Sequence, residues 1–146
     1  MAALLALLLR WWNIDALRDT VLYREPHGDG RAYLALATRL REGGWAGLFR
    51  GGDVYYQAPL YPHVLALFQS IFGESVAAVR HFQAILGAGT TFLVGFGAAR
   101  LFGQRAGVLA ALLLATYAPA IWLDGLIQKS ALSSFLVAAT LVLWTY

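Results

Sequence analysis

Apolar and polar positions alternate in blocks along this chain, and the blocks differ in length and in the face they present. Residues 2–9, AALLALLL, are wholly apolar and lead into Arg10, Trp11 and Trp12. The aromatic pair suits a membrane interface, so the block predicts the end of a span over residues 1–12. A helix of about nine residues rises only ~13 Å against a hydrocarbon core of ~30 Å, so the span is expected to be partial. No basic segment precedes it, which argues against a signal peptide; a short interfacial anchor is the other reading. Residues 82–99, 106–122 and 131–146 predict three further spans, the last incomplete. Between the first block and these, residues 13–80 form a more polar stretch predicted to lie outside the bilayer.

Two amphipathic elements are expected in that stretch. After Gly28-Asp29-Gly30, the run RAYLALATRLRE places Tyr33, Leu36, Ala37 and Leu40 on one helical face. Arg31, Thr38, Arg39 and Glu42 fall on the other. Asp29 is the expected N-cap and Gly43-Gly44 the expected stop. The helix is too short and charged to span, and is expected to lie flat on the membrane with its apolar face down. Residues 59–72, PLYPHVLALFQSIF, make a second short element closed by Gly73, of interfacial or re-entrant length.

Composition sharpens this picture. The chain has 146 residues, 60% hydrophobic and 13% charged, with a mean hydropathy of +0.62. Soluble domains carry about 25% charged residues, so a soluble globule and a disordered chain are both excluded. The expected fold class is an all-α, multi-pass transmembrane helix bundle of about four spans, with interfacial amphipathic helices in the first outer loop. There is no cysteine, which removes disulfides and thiolate metal sites. Nothing in the charge pattern suggests nucleic acid.

Charge distribution sets the orientation. The turn at 100–105 carries Arg100 and Arg105 and no acid, which places it in the cytoplasm. Residues 13–80, with seven arginines and seven acids, then lie outside, as does the Asp124–Lys129 connection. Within the span at 82–99, Gly87, Thr91, Gly95 and Ala99 recur every four residues and form a stripe open to close helix approach.

The candidate chemistry is on the outer side. Asp29 is either a helix cap or a carboxylate aimed at a hydroxyl acceptor as general base. Asp124 and Lys129 are candidates by position near membrane depth, against the bland reading of a snorkelling lysine. Arg80 and His81 either hold a lipid-linked phosphate or anchor to head groups. Tyr55, Tyr56, Tyr61 and Trp45 are candidates to stack on a sugar, or ordinary interfacial aromatics. His27, His63 and His81 lack metal-ligand spacing, so no metal is assigned. Phosphate-binding loops, dinucleotide fingerprints and nucleophile elbows are absent from the sequence.

The order of segments carries a resemblance. GDGRAYLALATRLREGGW, then YYQAPLYPHVLALFQSIFG, then SVAAVRHFQAILGAGTTFLVGFGAARLFGQRAGVLAALLLATYAPAIWLDGLIQKSALSSFLVAATLVL resembles the N-terminal part of bacterial GT-C membrane glycosyltransferases. These are relatives of the protein O-mannosyltransferases and the lipid A aminoarabinose transferase. The resemblance implies transfer of a sugar from a polyprenyl-phosphate donor to a glycan, lipid or protein acceptor at the outer face of the bacterial plasma membrane. It implies inversion at the anomeric carbon and no cofactor beyond the lipid-linked donor. Asp29 matches the family's first-loop acid. The family's usual Asp-Glu pair is here Asp29-Gly30, its lysine before the proline is replaced in Gln57-Ala58-Pro59, and Lys129 stands where many relatives carry a second acid. Arg80 and Lys129 are therefore the expected phosphate-binding groups, with Tyr56 and Gln57 as further substrate contacts. Family members have more spans, so residues 1–146 are expected to be a single N-terminal portion, a fragment. The rival readings are a non-catalytic membrane module that binds lipid-linked sugar or packs against other membrane proteins, and a small transporter half. No convincing internal repeat supports the last of these.

Overall fold

The computed structural model describes residues 1–26, 28–43 and 58–145, and among them every regular element is helical. In chain order these are α1 (Ala2–Leu17), α2 (Val21–Arg24), α3 (Asp29–Glu42), α4 (Leu60–Phe72), α5 (Val76–Phe102), α6 (Gln104–Ala115), α7 (Ala118–Asp124) and α8 (Ser130–Leu143).

Helix α5 is the post around which the others pack. Its 27 residues rise about 40 Å, enough to cross a bilayer. It starts earlier than the apolar run predicts because Ser75 caps it, its Oγ accepting from the Ala78 amide at 3.2 Å. The extra turns bring Arg80 into protein contacts rather than water. At the far end Gly103, at φ +91°, reverses the chain directly into α6. There the small-residue stripe acts as expected. A Cβ on Gly95 would lie 2.7 Å from the Ala111 Cβ, and one on Gly107 only 2.6 Å from the Gly95 carbonyl, so the two backbones are nearly in contact. On another side, α8 lays Phe135 over Gly89 and Val142 over Gly97. Helix α1 closes the bundle, with Ala6 buried beside Ala88 and Ala115.

Three sequence expectations need correction. The stretch 106–122 is not one helix: α6 and α7 meet at a 56° bend. Pro119 sits in the first turn of α7, where it lacks the amide a continuous helix would require and its ring would clash with the preceding turn. Residues 1–12 do not end an element, because α1 runs on to Leu17 and Arg10 is buried within the bundle. Finally, the apolar face of α3 is covered by protein rather than lipid. Tyr33, Ala37 and Leu40 pack with Tyr61 and Leu65 of α4 and with Val79, Ile127 and Leu132. Arg41 pairs with Glu74 and ties the end of α3 to the turn before α5.

Among the described residues one helix, α5, is long and apolar enough to cross a membrane, or two paths if α6 and α7 are taken together. The exterior is strongly apolar: Phe92, Leu109, Leu113, Val137, Leu141 and Leu143 are all exposed. Such an apolar exterior is suited to lipid.

Candidate functional site

Asp29 opens α3 on an exposed face. The residue before the first turn is Gly28, at φ +55°, and this corrects the expectation that Asp29 itself is the N-cap. A non-glycine residue would be strained there, and the turn therefore delivers the aspartate one position further, as the first helical residue. The helix dipole favours a carboxylate at that end. One turn on, burial and the Asp29 charge both raise the pKa of the Tyr33 hydroxyl above its ordinary value.

The next residue fixes where Asp29 sits. Gly30 is buried, and a Cβ on it would lie 2.9 Å from the Ile127 carbonyl oxygen and 3.3 Å from the Ile127 Cβ. The start of α3 thus rests backbone against backbone on the connection between α7 and α8, the segment that ends in the exposed Lys129.

That connection is held from below by α5. The Arg80 Nε donates to the Gly125 carbonyl at 3.0 Å, and Nη2 to the Tyr23 carbonyl at 3.0 Å. The same guanidinium lies 4.0 Å over the Tyr23 ring. Arg80 is only 1% exposed, so these donors face backbone rather than solvent. Gln83, fully buried one turn later, donates from Nε2 to the Asp124 carbonyl at 3.0 Å and to the Leu126 carbonyl at 2.5 Å. Its Oε1 accepts from the Tyr61 hydroxyl of α4. Tyr61 in turn meets Tyr33 edge to face, with ring centroids 4.9 Å apart.

Beneath the connection lies an ion pair that sequence reasoning did not join. Arg10 Nε and Asp124 Oδ2 are 2.6 Å apart, with side chains 2% and 8% exposed. The Arg10 Nη1 also donates to the Ala6 carbonyl at 3.1 Å. The pair fits because Gly87 has no side chain: a Cβ there would overlap both Asp124 Oδ2 and Arg10 Nε. The signals were present separately. An arginine follows an apolar run, an acid closes another, and charges within membrane segments generally find each other.

The structure seats Gly30, the neighbour of Asp29, on Ile127 and the Arg80 guanidinium on Gly125, both in the connection that leads to Lys129, with Asp124, Gln83, Tyr23 and Arg10 around its start. Tyr56, Gln57, Tyr55, Trp45 and His27 lie outside the described residues. His63 bonds the Pro59 carbonyl and His81 packs edge-on against Trp11. Among the described residues no group of three or more His, Asp or Glu is arranged to hold a metal ion. An open cleft of about 600 Å³ runs along the polar side of α3, lined by Arg24, Glu25, Gly28, Arg31 and Thr38.

In comparison with known proteins, the family model described as dolichyl-phosphate-mannose-protein mannosyltransferase aligns with residues 56–146, more than half of the chain. Neither the curated proteins nor the solved structures give a match.

Proposed function

This chain belongs to the dolichyl-phosphate-mannose-protein mannosyltransferase family, and on that premise we propose that it serves a membrane glycosyltransferase whose acceptor-activating acid is Asp29. In this reading α1, α5, the α6–α7 path and α8 lie across the membrane as about four spans. The Arg100–Arg105 turn faces the cytoplasm and α3 and α4 lie at the outer surface. Arg80 and Arg100 are twenty positions apart on one helix, about 30 Å along its axis. That matches the hydrocarbon thickness and supports opposite faces for the Asp29 end and the arginine-bearing turn.

The donor is a sugar on a polyprenyl phosphate, and the acceptor a hydroxyl of a glycan, lipid or protein. Asp29 takes or orients the acceptor proton as the acceptor oxygen attacks the anomeric carbon. The bond to the phosphate oxygen breaks on the opposite side of that carbon, so configuration inverts. The polyprenyl phosphate leaves already ionised and needs charge neutralisation more than a proton. Lys129, exposed on the connection, supplies positive charge. Arg80 contributes to the same field while holding the Gly125 and Tyr23 carbonyls. Tyr56 and Gln57 are assigned as further substrate contacts, Tyr56 by stacking on the sugar.

The observation that carries the reading is the seating of Gly30 on Ile127, which sets the acid beside the connection that ends in the cation. The test is Asp29→Asn in native membranes with a polyprenyl-phosphate sugar donor. The variant is expected to insert normally and lose transfer; wild-type transfer in that variant would overturn the assignment.

A further inference from the structure

The Arg10–Asp124 pair is buried away from any acceptor, yet it stands at the root of the connection on which Gly30, the neighbour of Asp29, rests. Asp124 is the last residue of α7, and the connection begins immediately after it. Gly125 abuts α1, where a Cβ would lie 2.6 Å from Asn13 Nδ2 and 3.1 Å from Leu17 Cδ1. The Asn13 amide donates to the Ile121 carbonyl at 3.1 Å. Gly125 and Leu126 accept from Arg80 and Gln83, and Ile127 carries Gly30. The sequence of contacts runs from α1 through the ion pair into α7, along the connection, and onto the helix start that presents Asp29.

A buried ion pair is a poor way to stabilise a bundle. Its desolvation offsets most of the Coulomb attraction, and apolar replacements of similar volume are often as stable or more so. What a charged hydrogen bond supplies is direction and length, which apolar packing does not. Here the pair occupies the space left by the missing side chain of Gly87, which restricts the relative height of α1 and α7.

From this we infer that Arg10 and Asp124 are positioning residues: they set the height of the α7–α8 connection and thereby the placement of Asp29 against Lys129. The inference rests on the reading of Asp29 as the catalytic acid, but its geometric half is independent of catalysis.

The experiment uses the protein in lipid nanodiscs for the distances and in native membranes for transfer. Removing one partner leaves a lone buried charge, and such variants are at risk of misfolding. The decisive variant is therefore the neutral pair Arg10→Met with Asp124→Leu. The sequence has no cysteine, so Arg31→Cys and Gln128→Cys give two unique spin-label sites across the α3–connection contact. The expected result has two parts. The double variant inserts with an unfolding midpoint close to wild type, but its label-to-label distance distribution broadens or shifts. Transfer then falls by up to roughly 10²-fold in kcat with acceptor KM little changed, as expected when a reacting group is misplaced by about 1 Å. A double variant that folds and keeps both the narrow distribution and wild-type kcat overturns the inference. So does one that fails to fold, since the pair would then be a folding element. If Asp29→Asn retains transfer while the distances still change, the catalytic reading fails and the positioning of the helix stands.

Discussion

Gly87 stands directly opposite Asp124, and the carboxylate occupies the volume that any side chain at position 87 would fill. Gly87→Ala is therefore expected to break the Arg10–Asp124 pair rather than merely to crowd it. Separating a buried pair costs on the order of 3–5 kcal/mol. Gly89, half a turn on, faces only the ring edge of Phe135, with its Cβ position 2.9 Å from Cε2. A ring can swing, so Gly89→Ala should cost about 1 kcal/mol, at the low end of overpacking. Thermal unfolding of the two variants side by side in nanodiscs tests this. Equal midpoints would show that the pair shifts aside without loss.

The approach of α5 and α6 gives a second expectation. Their contact is built from Gly95, Ala99, Gly107 and Ala111, and it leaves no room at either glycine. Gly107→Val would push the backbones apart by more than a methyl group, with a cost of about 1–3 kcal/mol or more. The effect should be local. Spin labels on α5 and α6 should report a larger separation, while labels on α3 and α4 should not move. A change of equal size at both places would mean that α6 also supports the outer helices.

Lys129 is predicted to act by charge. Lys129→Ala should lower transfer by about 10²–10³-fold, the usual loss when one group stabilising a developing anion is removed. Lys129→Arg should keep most of it, and neither change should alter unfolding, because the side chain is exposed. Rates measured with a polyprenyl-phosphate sugar donor decide the matter. Loss in the arginine variant equal to that in the alanine variant would point to packing or a specific amine contact instead.

Much of the bundle was legible from sequence, and the exceptions share a cause. Helices α3 and α4 begin and end close to where glycine and proline placed them, and the buried face of α3 is the one its periodicity indicated. The stripe on α5 correctly announced close packing, although Gly87 within it serves an ion pair rather than a helix. What failed depended on three-dimensional partners. Arg10 looked interfacial because its neighbours are tryptophans, and only Asp124, more than a hundred positions away, draws it inward. The apolar side of α3 looked lipid-facing because nothing local says that Tyr61, Leu65 and Ile127 will cover it. Pro119 breaks a run otherwise fit to span, because its ring and missing amide stop α6 from continuing into α7. The exposure of Asp29 at a helix start and of Lys129 in a short connection was legible from their positions, whereas Gln83 gave no signal. Its role arises from three acceptor and donor groups that meet only in the fold.

Tyr61 offers the most discriminating measurement of that network. Its ring packs on Tyr33 while its hydroxyl donates to Gln83 Oε1, and Gln83 in turn holds two carbonyls at the start of the connection. Tyr61→Phe keeps the ring and removes only the donor, leaving a buried amide oxygen without its partner at a cost of about 1–3 kcal/mol. The pH dependence separates this from a simple loss of packing. Burial raises the pKa of the Tyr61 hydroxyl far above the ordinary value of 10.0. The folded state therefore holds the proton after the unfolded chain has released it. Stability from this group is fully present below pH 10 and declines as pH rises beyond it. Tyr33 shares the direction of shift, so some alkaline sensitivity should remain in the variant. The slope of stability against pH above 10 should nevertheless be shallower in Tyr61→Phe than in wild type. Parallel slopes, measured by denaturation across an alkaline series in nanodiscs, would mean that the hydroxyl is solvated and that Gln83 is oriented by the backbone carbonyls alone.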